Sequence, residues 1–461
     1  MPKDTSQSVR RGPLSAHVDR ASNRREFFTR STMAFGSTVA LGGSAAIAAG
    51  ESLLAGPSAP PPTFHVSGRD TLRIGLIGCG ARGRGAVIEA IQAASASCSA
   101  GKTNPLGQVQ LVAMADTFAN NLQTAYRAIN GRHRANVDVG NRRFVGLDGW
   151  KGVLAADLDL VILSTPPAFR PLHFEAAVAA GKHIFMESPV ATDIPGLRRV
   201  IAAGNVAQKR GLAVSVGLQR RYEARTRDCV DRLREGMIGE LVSAHTYSSG
   251  FATGRSITAN HERGLEEQIR NWHDFAWMSG GFVDERHLHN LDTIHWVLGQ
   301  TPIAARKLTS PSDVTNVYTG GSPASNVKTA NAGPAIEFAY ENGVRTVCEH
   351  RNPRGTERQL GEWFQGSEGA CDLSRAIIRN RDGKVVWQSD AKEIPGKGWQ
   401  QQFNQLIGNL REGQMPADLN HGIACTATAI LERMVTQSGQ SLTWDRLMAS
   451  DEGFHHPPCT A

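Results

Sequence analysis

A glycine-rich turn between an apolar strand and a helix constrains this chain more than any other feature. The apolar run 72–77 leads into a Gly-x-Gly-x-x-Gly pattern made by Gly78, Gly80 and Gly83. In such a turn the first glycine permits a tight bend, the second lets a pyrophosphate approach the backbone, and the third lets the helix pack close to the strand. The helix N-terminus offers free N–H groups and partial positive charge to the phosphates. The pattern alone is weak evidence in a chain with 48 glycines, but the order strand, glycines, helix predicts a dinucleotide site.

The first 48 residues have the features of an export signal. Arg24 and Arg25 form a twin-arginine pair, an Ala/Gly-rich, weakly apolar run follows over 33–49, and 46–48 is a small-residue cleavage site. In this order the features predict a Tat signal peptide over 1–48 and a linker over 49–69. We therefore expect a periplasmic, exported protein that meets the Tat machinery. A disordered tail with a chance Arg-Arg is the alternative, and the sequence leaves open whether the leader is cleaved or kept as an anchor.

Composition excludes several classes of protein. The chain carries a formal charge of +7, but residues 1–48 hold seven basic and three acidic side chains, so the remainder carries +3. No nucleic-acid-binding patch is evident. Seven cysteines are scattered without a CxxC pair, which argues against a disulfide framework or a zinc site, and no metal is expected.

The order of apolar runs predicts two domains. Over 70–190, short unalternated apolar runs alternate with helical segments, as in a parallel sheet covered on both faces. This is the α/β, doubly wound Rossmann pattern. Beyond 190 longer strands appear, with an Asn-Gly hairpin turn at 342–343, and the interval 212–218 is a possible further parallel strand. We expect an α+β domain over 191–461 with a large, open, mostly antiparallel sheet.

An acidic residue at the end of the second predicted strand bears on the choice of cofactor. Asp116 is placed to accept hydrogen bonds from the adenine ribose hydroxyls and to repel a 2′-phosphate, which favours NAD. Arg82 and Arg84 lie nearby and keep NADP open. The alternative role of Asp116 is that of a helix N-cap.

A second constellation follows a Gly-Gly pair at 280–281. On a helix, Glu285, His289 and Asp292 share one stripe, and a histidine between two carboxylates is a sensible general base. The alternative is an amphipathic helix with a solvated polar face. His287 and His295 are expected to be structural.

These pieces together resemble the Gfo/Idh/MocA oxidoreductases over about residues 70–450. The resemblance rests on the glycine loop, Thr-Pro-Pro at 165–167, GKHIFMESP at 181–189, the run ending in His-x-x-Asp at 292, and GQSLTWD at 439–445. It implies a nicotinamide cofactor, a sugar or polyol substrate, and a homodimer or homotetramer. Because cofactor supply is poor outside the cytoplasm, an exported enzyme is expected to retain its cofactor through turnover. The resemblance also implies that His289 takes a proton from a substrate hydroxyl while hydride passes to the nicotinamide, with Glu285 and Asp292 as the other catalytic residues.

The resemblance carries over further site residues position by position. Those implied at the cofactor are Gly78, Gly80, Ala81, Arg82, Gly83, Asp116, Thr165, Pro166 and Glu187. Those implied at the substrate are Ser188, Arg220 and Tyr222.

Two positions depart from the family pattern. The usual Glu-Lys-Pro is Glu-Ser-Pro here, so Ser188 replaces a lysine that helps activate the substrate hydroxyl, and Glu285 stands where Asp is usual. Loss of that cation predicts a fall in simple alcohol oxidation of ~10²-fold or more unless Arg220 or Arg221 replaces it. The main expectation is an exported sugar or polyol dehydrogenase. A redox-neutral, NAD-dependent glycosidase and a non-catalytic carbohydrate-binding protein remain the alternatives.

Overall fold

A computed structural model describes residues 71–96, 108–249, 264–281, 287–308, 335–351, 359–391, 397–416 and 418–454. The predicted leader and linker, 1–69, and Glu285 lie outside these residues. Within them, no helix is both long enough and apolar enough to cross a membrane.

Six parallel strands form the first sheet, in the order β3-β2-β1-β4-β5-β6. The strands are β1 (Thr71–Ile77), β2 (Gln108–Asp116), β3 (Arg143–Val145), β4 (Leu160–Leu163), β5 (His183–Met186) and β6 (Val214–Val216). Their apolar side chains are almost wholly buried in the central strands β1, β4 and β5, as expected when helices cover both faces. The strand order reverses beside β1, so its carboxyl end is a topological switch point.

Helices follow most of these strands and close both faces of the sheet. They are α1 (Ala81–Ala96), α2 (Ala119–His133), α3 (Gly149–Ala155), α4 (Arg170–Ala179), α5 (Ile194–Lys209) and α6 (Ala224–Arg234). The residues at the start of α5 are typical of a helix N-terminus. Asp193 is the N-cap and accepts a hydrogen bond from the Gly196 N–H at 2.8 Å, and Pro195 lies in the first turn.

The second sheet has nine strands, in the order β14-β13-β12-β11-β7-β10-β9-β8-β15. They are β7 (Leu241–Ser249), β8 (Ala304–Leu308), β9 (Ala335–Ala339), β10 (Arg345–Arg351), β11 (Gln359–Gly366), β12 (Gly369–Asp372), β13 (Ile377–Asn380), β14 (Val385–Gln388) and β15 (Leu442–Thr443). All of its pairings are antiparallel except β7 with β10.

Six further helices accompany this sheet. They are α7 (Leu265–Arg270), α8 (Ala276–Ser279), α9 (Leu288–Leu298), α10 (Lys397–Glu412), α11 (Asp418–Ser438) and α12 (Trp444–Met448). The α10 helix packs on α1, with Phe403 against Phe185 of the parallel sheet. The α11 helix is almost entirely buried and lies against α5, α9 and β6. It is the main element joining the two sheets.

The fold class predicted from the sequence is confirmed: an α/β Rossmann sheet is followed by a large, mostly antiparallel sheet. The interval 212–218 supplies β6 of the parallel sheet. The Asn-Gly hairpin joins β9 to β10, with Gly343 at φ +83° and the Gly343 N–H donating to Tyr340 O at 3.0 Å. Several short elements, among them β3, α3 and β13, have no clear periodic spacing of apolar residues in the sequence.

Candidate active site

The glycine loop has the geometry that its spacing predicts. Gly78 has φ +96°, and a Cβ there would lie 2.7 Å from the Ser164 carbonyl. A Cβ on Gly83 would lie 2.0 Å from Gly78 O, so only glycine allows this packing of α1 on the turn. At Gly80 a Cβ would meet no described atom within 4 Å. The loop is therefore closed on its protein side and open where a ligand would approach.

Asp116 ends β2 with its carboxylate against the glycine loop. Its Oδ2 accepts from the Cys79 N–H at 2.7 Å, and its Oδ1 accepts from the Phe118 N–H at 2.8 Å. The N-cap of α2 is Phe118, so Asp116 is not the cap of that helix. The two backbone bonds fix the carboxylate beside the open side of Gly80.

A cleft runs along the carboxyl ends of the first-sheet strands. Its lining includes Gly78, Gly80, Asp116, Thr165, Pro166 and Trp150. Thr165 Oγ1 lies 3.1 Å from Nδ1 of His173, whose pKa burial lowers to about 3. The neutral imidazole of His173 therefore contacts Thr165 in the lining of the cleft.

Arg82 and Glu187, both predicted cofactor residues, contact each other. The Arg82 Nε donates to Glu187 at 2.7 Å, and the guanidinium also bonds Glu89 of α1 and lies 5.1 Å from the centre of the Trp399 ring. Two carboxylates already neutralise Arg82, which removes one reason to expect a 2′-phosphate there.

Ser188, in the place of the usual lysine, does not supply a charge. Its hydroxyl donates to Gly217 O at 3.0 Å, just past β6. A Cβ on Gly217 would lie 2.4 Å from the Glu187 carboxylate. The segment after β5 is thus held against the segment after β6, and the latter runs directly into 219–222.

Adjacent residues in that turn have different partners. Arg221 forms a two-pronged ion pair with Asp292 of α9, with N–O distances of 2.8–3.0 Å. Both side chains are almost fully buried. Asp292, predicted to flank His289 on one helical stripe, has both carboxylate oxygens accepting from Arg221, a partner that the sequence of α9 alone does not indicate.

Arg220, unlike its neighbour Arg221, pairs with the second sheet. It forms an ion pair with Glu362 of β11, whose side chain is 2 % exposed. Burial lowers the pKa of His289 to about 3, and the charge of Arg220 is the second cause. No hydrogen-bond partner is found among the described residues for the buried Nδ1 of His289. The site thus combines a neutral imidazole with a nearby guanidinium.

Tyr222, predicted to contact substrate, points into the protein. Its hydroxyl donates to Asp418 at 2.8–2.9 Å, and the hydroxyl of Ser215 donates to the same carboxylate at 2.6 Å. Burial raises the pKa of Tyr222 well above its usual range. We assign Tyr222 to the junction between the sheets, where it ties the turn 219–222 to the start of α11.

The two other histidines of this segment are buried among hydroxyl groups. His287 Nε2 lies 3.0 Å from Thr246 Oγ1, and His295 Nε2 lies 3.2 Å from Thr428 Oγ1. Both were expected to be structural, and their surroundings fit that role.

The structure connects several of the predicted residues by direct contacts. One path runs from Arg82 of the glycine loop through Glu187 to Ser188 and Gly217, and the turn 219–222 that follows contacts Asp292 of α9, the helix that carries His289. Sequence reasoning missed Glu89, Trp399, Glu362 and Asp418, which complete this path. No motif marks them, because each acts on a partner far away in the chain.

Comparisons with known proteins agree with this geometry. Residues 72–218 match the model of the NAD-binding Rossmann fold of the Gfo/Idh/MocA oxidoreductase family. The chain is 25% identical over 236 residues to the inositol 2-dehydrogenase of Acidiphilium cryptum, covering 51% of this chain and 57% of that protein. It is 27% identical over 152 residues to inositol 2-dehydrogenase 3 of Saccharopolyspora erythraea, covering 33% and 38%. The matched segments thus span about half the length or less of these relatives.

Solved structures show the same fold over more of the chain. The myo-inositol 2-dehydrogenase of Lactobacillus plantarum superposes with a TM-score of 0.55 at 19% identity, covering 81% of this chain and 99% of that one. A levoglucosan dehydrogenase in complex with NADH and levoglucosan gives 0.56 at 16% identity, covering 81% and 99%. At these identities the likeness concerns the fold.

Residues 72–218 therefore form an NAD-binding Rossmann domain similar to that of the Gfo/Idh/MocA oxidoreductases. The residues present fit NAD. The open side of Gly80, the start of α1 and the carboxylate of Asp116 are placed for the pyrophosphate and the adenine ribose.

Proposed function

We propose that the protein is an NAD-dependent oxidoreductase of a sugar or polyol hydroxyl, with His289 as its general base. The observation that carries the proposal is the placement of a partly buried His289 on α9, a helix that the turn 219–222 holds through Arg221 and Asp292 next to the segment after β5. Burial, and secondly the charge of Arg220, lower the pKa of His289 to about 3. The likeness to inositol and levoglucosan dehydrogenases supports a polyhydroxylated substrate.

The chemistry divides between the cofactor and this chain. Bound NAD supplies the acceptor for the hydride that leaves the substrate carbon. His289 accepts the proton of the same carbon's hydroxyl, so that a carbonyl forms. A neutral imidazole is the form able to accept that proton.

In this proposal Arg220 supplies the positive charge that the lysine usually found at the position of Ser188 would supply. A positive charge that disfavours imidazolium also stabilises the negative charge that develops on the substrate oxygen. One cation thus makes His289 a weaker base and the hydroxyl a stronger acid. Glu362, buried under Arg220, fixes the guanidinium in place.

The role of Arg220 has a direct test. The Arg220→Gln/Glu362→Gln double variant removes the cation without leaving the buried carboxylate alone, and kcat is expected to fall ~10²-fold or more with Tm little changed. Arg220→Lys should recover part of the loss. Arg227→Gln, an exposed arginine of α6, is the matched control. Unchanged kcat in the double variant would exclude Arg220 from the chemistry.

The proposed function itself is tested on exported, full-length protein. The protein is denatured, any released nucleotide is identified, and its oxidation state is read after incubation with inositols, levoglucosan, other free sugars and glycosides. Conversion of bound NAD to NADH by a free sugar or polyol supports the proposal. Cleavage of a glycoside with no net reduction would replace it with a redox-neutral glycosidase, and failure to retain or take up any nucleotide would overturn it.

We further propose that the protein is exported by the Tat route with NAD already bound. The twin arginines and the small-residue site at 46–48 support this. Cell fractionation should place the wild-type protein in the periplasm, and Arg24→Lys/Arg25→Lys should keep it in the cytoplasm. Equal distributions of the two would contradict export by this route.

A homodimer or homotetramer is also proposed, on the family resemblance. Outer strands of the second sheet expose apolar side chains, such as Val386 at 52 %. Light scattering on the eluted protein would measure the assembly, and a monomer would contradict the proposal.

A further inference from the structure

Three side chains with metal-binding atoms meet in the interior beside α9. His287 immediately precedes α9, Cys348 lies on β10 and Glu432 lies on α11. One ligand atom from each lies within 4.8 Å of the other two, and all three residues are 0% exposed. Among the described residues, no other group of three or more has this arrangement.

We propose that His287, Cys348 and Glu432 bind a divalent transition metal, zinc first, that anchors the start of the His289 helix. The proposal goes beyond the oxidoreductase function and contradicts the expectation from cysteine spacing that no metal is bound. That expectation considered ligands close in sequence, whereas these come from three separate elements.

The donor set matches the chemistry of zinc. Zinc prefers thiolate, imidazole and carboxylate ligands at about 2.0–2.3 Å, arranged around a tetrahedron. The 4.8 Å limit on the present spacing is close enough for small side-chain movements to bring all three onto one ion. Soft thiolate and imidazole donors disfavour magnesium and calcium at the same site.

All three side chains are buried, so an ion bound between them would be held away from water. Its charge would balance the negative charges of a Glu432 carboxylate and a Cys348 thiolate in this interior position. If Nδ1 of His287 is the ligand atom, the contact of its Nε2 with Thr246 Oγ1 on β7, at 3.0 Å, would orient the imidazole toward the ion.

The position of the cluster explains what an ion would do. His287 lies two residues before His289 and one before the first residue of α9. An ion held by β10 and α11 would fix this end of α9 against the second sheet. The role is structural: it sets the position of His289 without touching substrate.

Metal content and a spectroscopic signature test the site independently of activity. Full-length protein without a polyhistidine tag is analysed by plasma mass spectrometry, and about one equivalent of zinc per chain is expected. The metal is then removed with a chelator and Co²⁺ is added. A thiolate-to-cobalt charge-transfer band is expected in wild type, and addition of Zn²⁺ should raise Tm.

Matched variants assign the signal to these residues. Cys348→Ser should lose the charge-transfer band, whereas Cys371→Ser, another buried thiol of the second sheet, should keep it. Glu432→Gln should weaken Zn²⁺ binding at least tenfold. Wild-type protein that binds neither Zn²⁺ nor Co²⁺, or a band that persists in Cys348→Ser, would overturn the proposal. Failure of the sugar assays would leave it intact.

Discussion

The two ends of the proposed active site are built in different ways. At the dinucleotide end, backbone groups within 78–83 and the Asp116 carboxylate form the part of the cleft that would face the pyrophosphate and the adenine ribose. At the His289 end, side chains form pairs across 71 to 196 residues of chain, namely Arg221 with Asp292, Arg220 with Glu362, and Tyr222 with Asp418. A motif of consecutive residues can be recognised in the sequence. A site made of residue pairs that are far apart in the chain can be recognised only in the folded structure.

The largest expected effect lies at the His289 end. His289→Ala removes the only proposed base, so kcat should fall by ~10²–10⁴-fold. NAD binding should be unchanged, because the cofactor cleft is built elsewhere. Steady-state kinetics and a binding titration measure the two effects, with His183→Ala on β5, a partly buried histidine away from this site, as the control. Loss of NAD binding together with kcat would show that the two ends are not separate.

The second effect concerns the stability of the distant pairs. Arg221→Ala leaves Asp292 buried and without its guanidinium, which should cost about 3–5 kcal/mol of unfolding free energy. The exposed pair of Arg199 and Glu175 is the matched control, and Arg199→Ala should cost at most about 1 kcal/mol. Urea unfolding gives both values. If the two variants lost similar amounts of unfolding free energy, the buried pair of Arg221 and Asp292 would stabilise the protein no more than an exposed pair does.

The third effect compares two glycines of one loop. Gly83→Ala places a methyl group 2.0 Å from a carbonyl oxygen, so stability should fall by about 1–3 kcal/mol or more. Gly80→Ala meets open space and should keep the wild-type Tm, yet lose NAD affinity at least tenfold, about 1.4 kcal/mol. Thermal melts and NAD titrations separate the two. A Gly80→Ala protein that binds NAD normally would show that the pyrophosphate does not approach there.

The smallest effect is on cofactor choice. Asp116→Ala removes a carboxylate fixed beside Gly80 by two backbone N–H groups. NAD affinity should fall about tenfold while NADP affinity falls less, because the repulsion of a 2′-phosphate is lost. Asp148→Ala, an exposed aspartate before α3, is the control. An unchanged preference between NAD and NADP would limit Asp116 to holding the loop.

The sequence by itself determined the class of fold and the dinucleotide end. Strand, glycine loop and helix are consecutive, and their roles follow from backbone sterics that depend on neighbours in the chain. Helical spacing also predicted His289 as the general base, because it places the imidazole on a polar stripe. The packing of Gly83 on Gly78 and the stripe of α9 both depend on residues close together in the chain.

Only the tertiary structure decided the partners of the charged residues. Arg220 and Arg221 are adjacent and chemically identical, yet Arg220 pairs with Glu362 of β11 while Arg221 pairs with Asp292 of α9. Likewise, His287, Cys348 and Glu432 show no metal-binding spacing until α9, β10 and α11 bring them together. Burial makes such pairs and clusters strong by excluding water, and burial is a property of the packed elements that no local pattern contains.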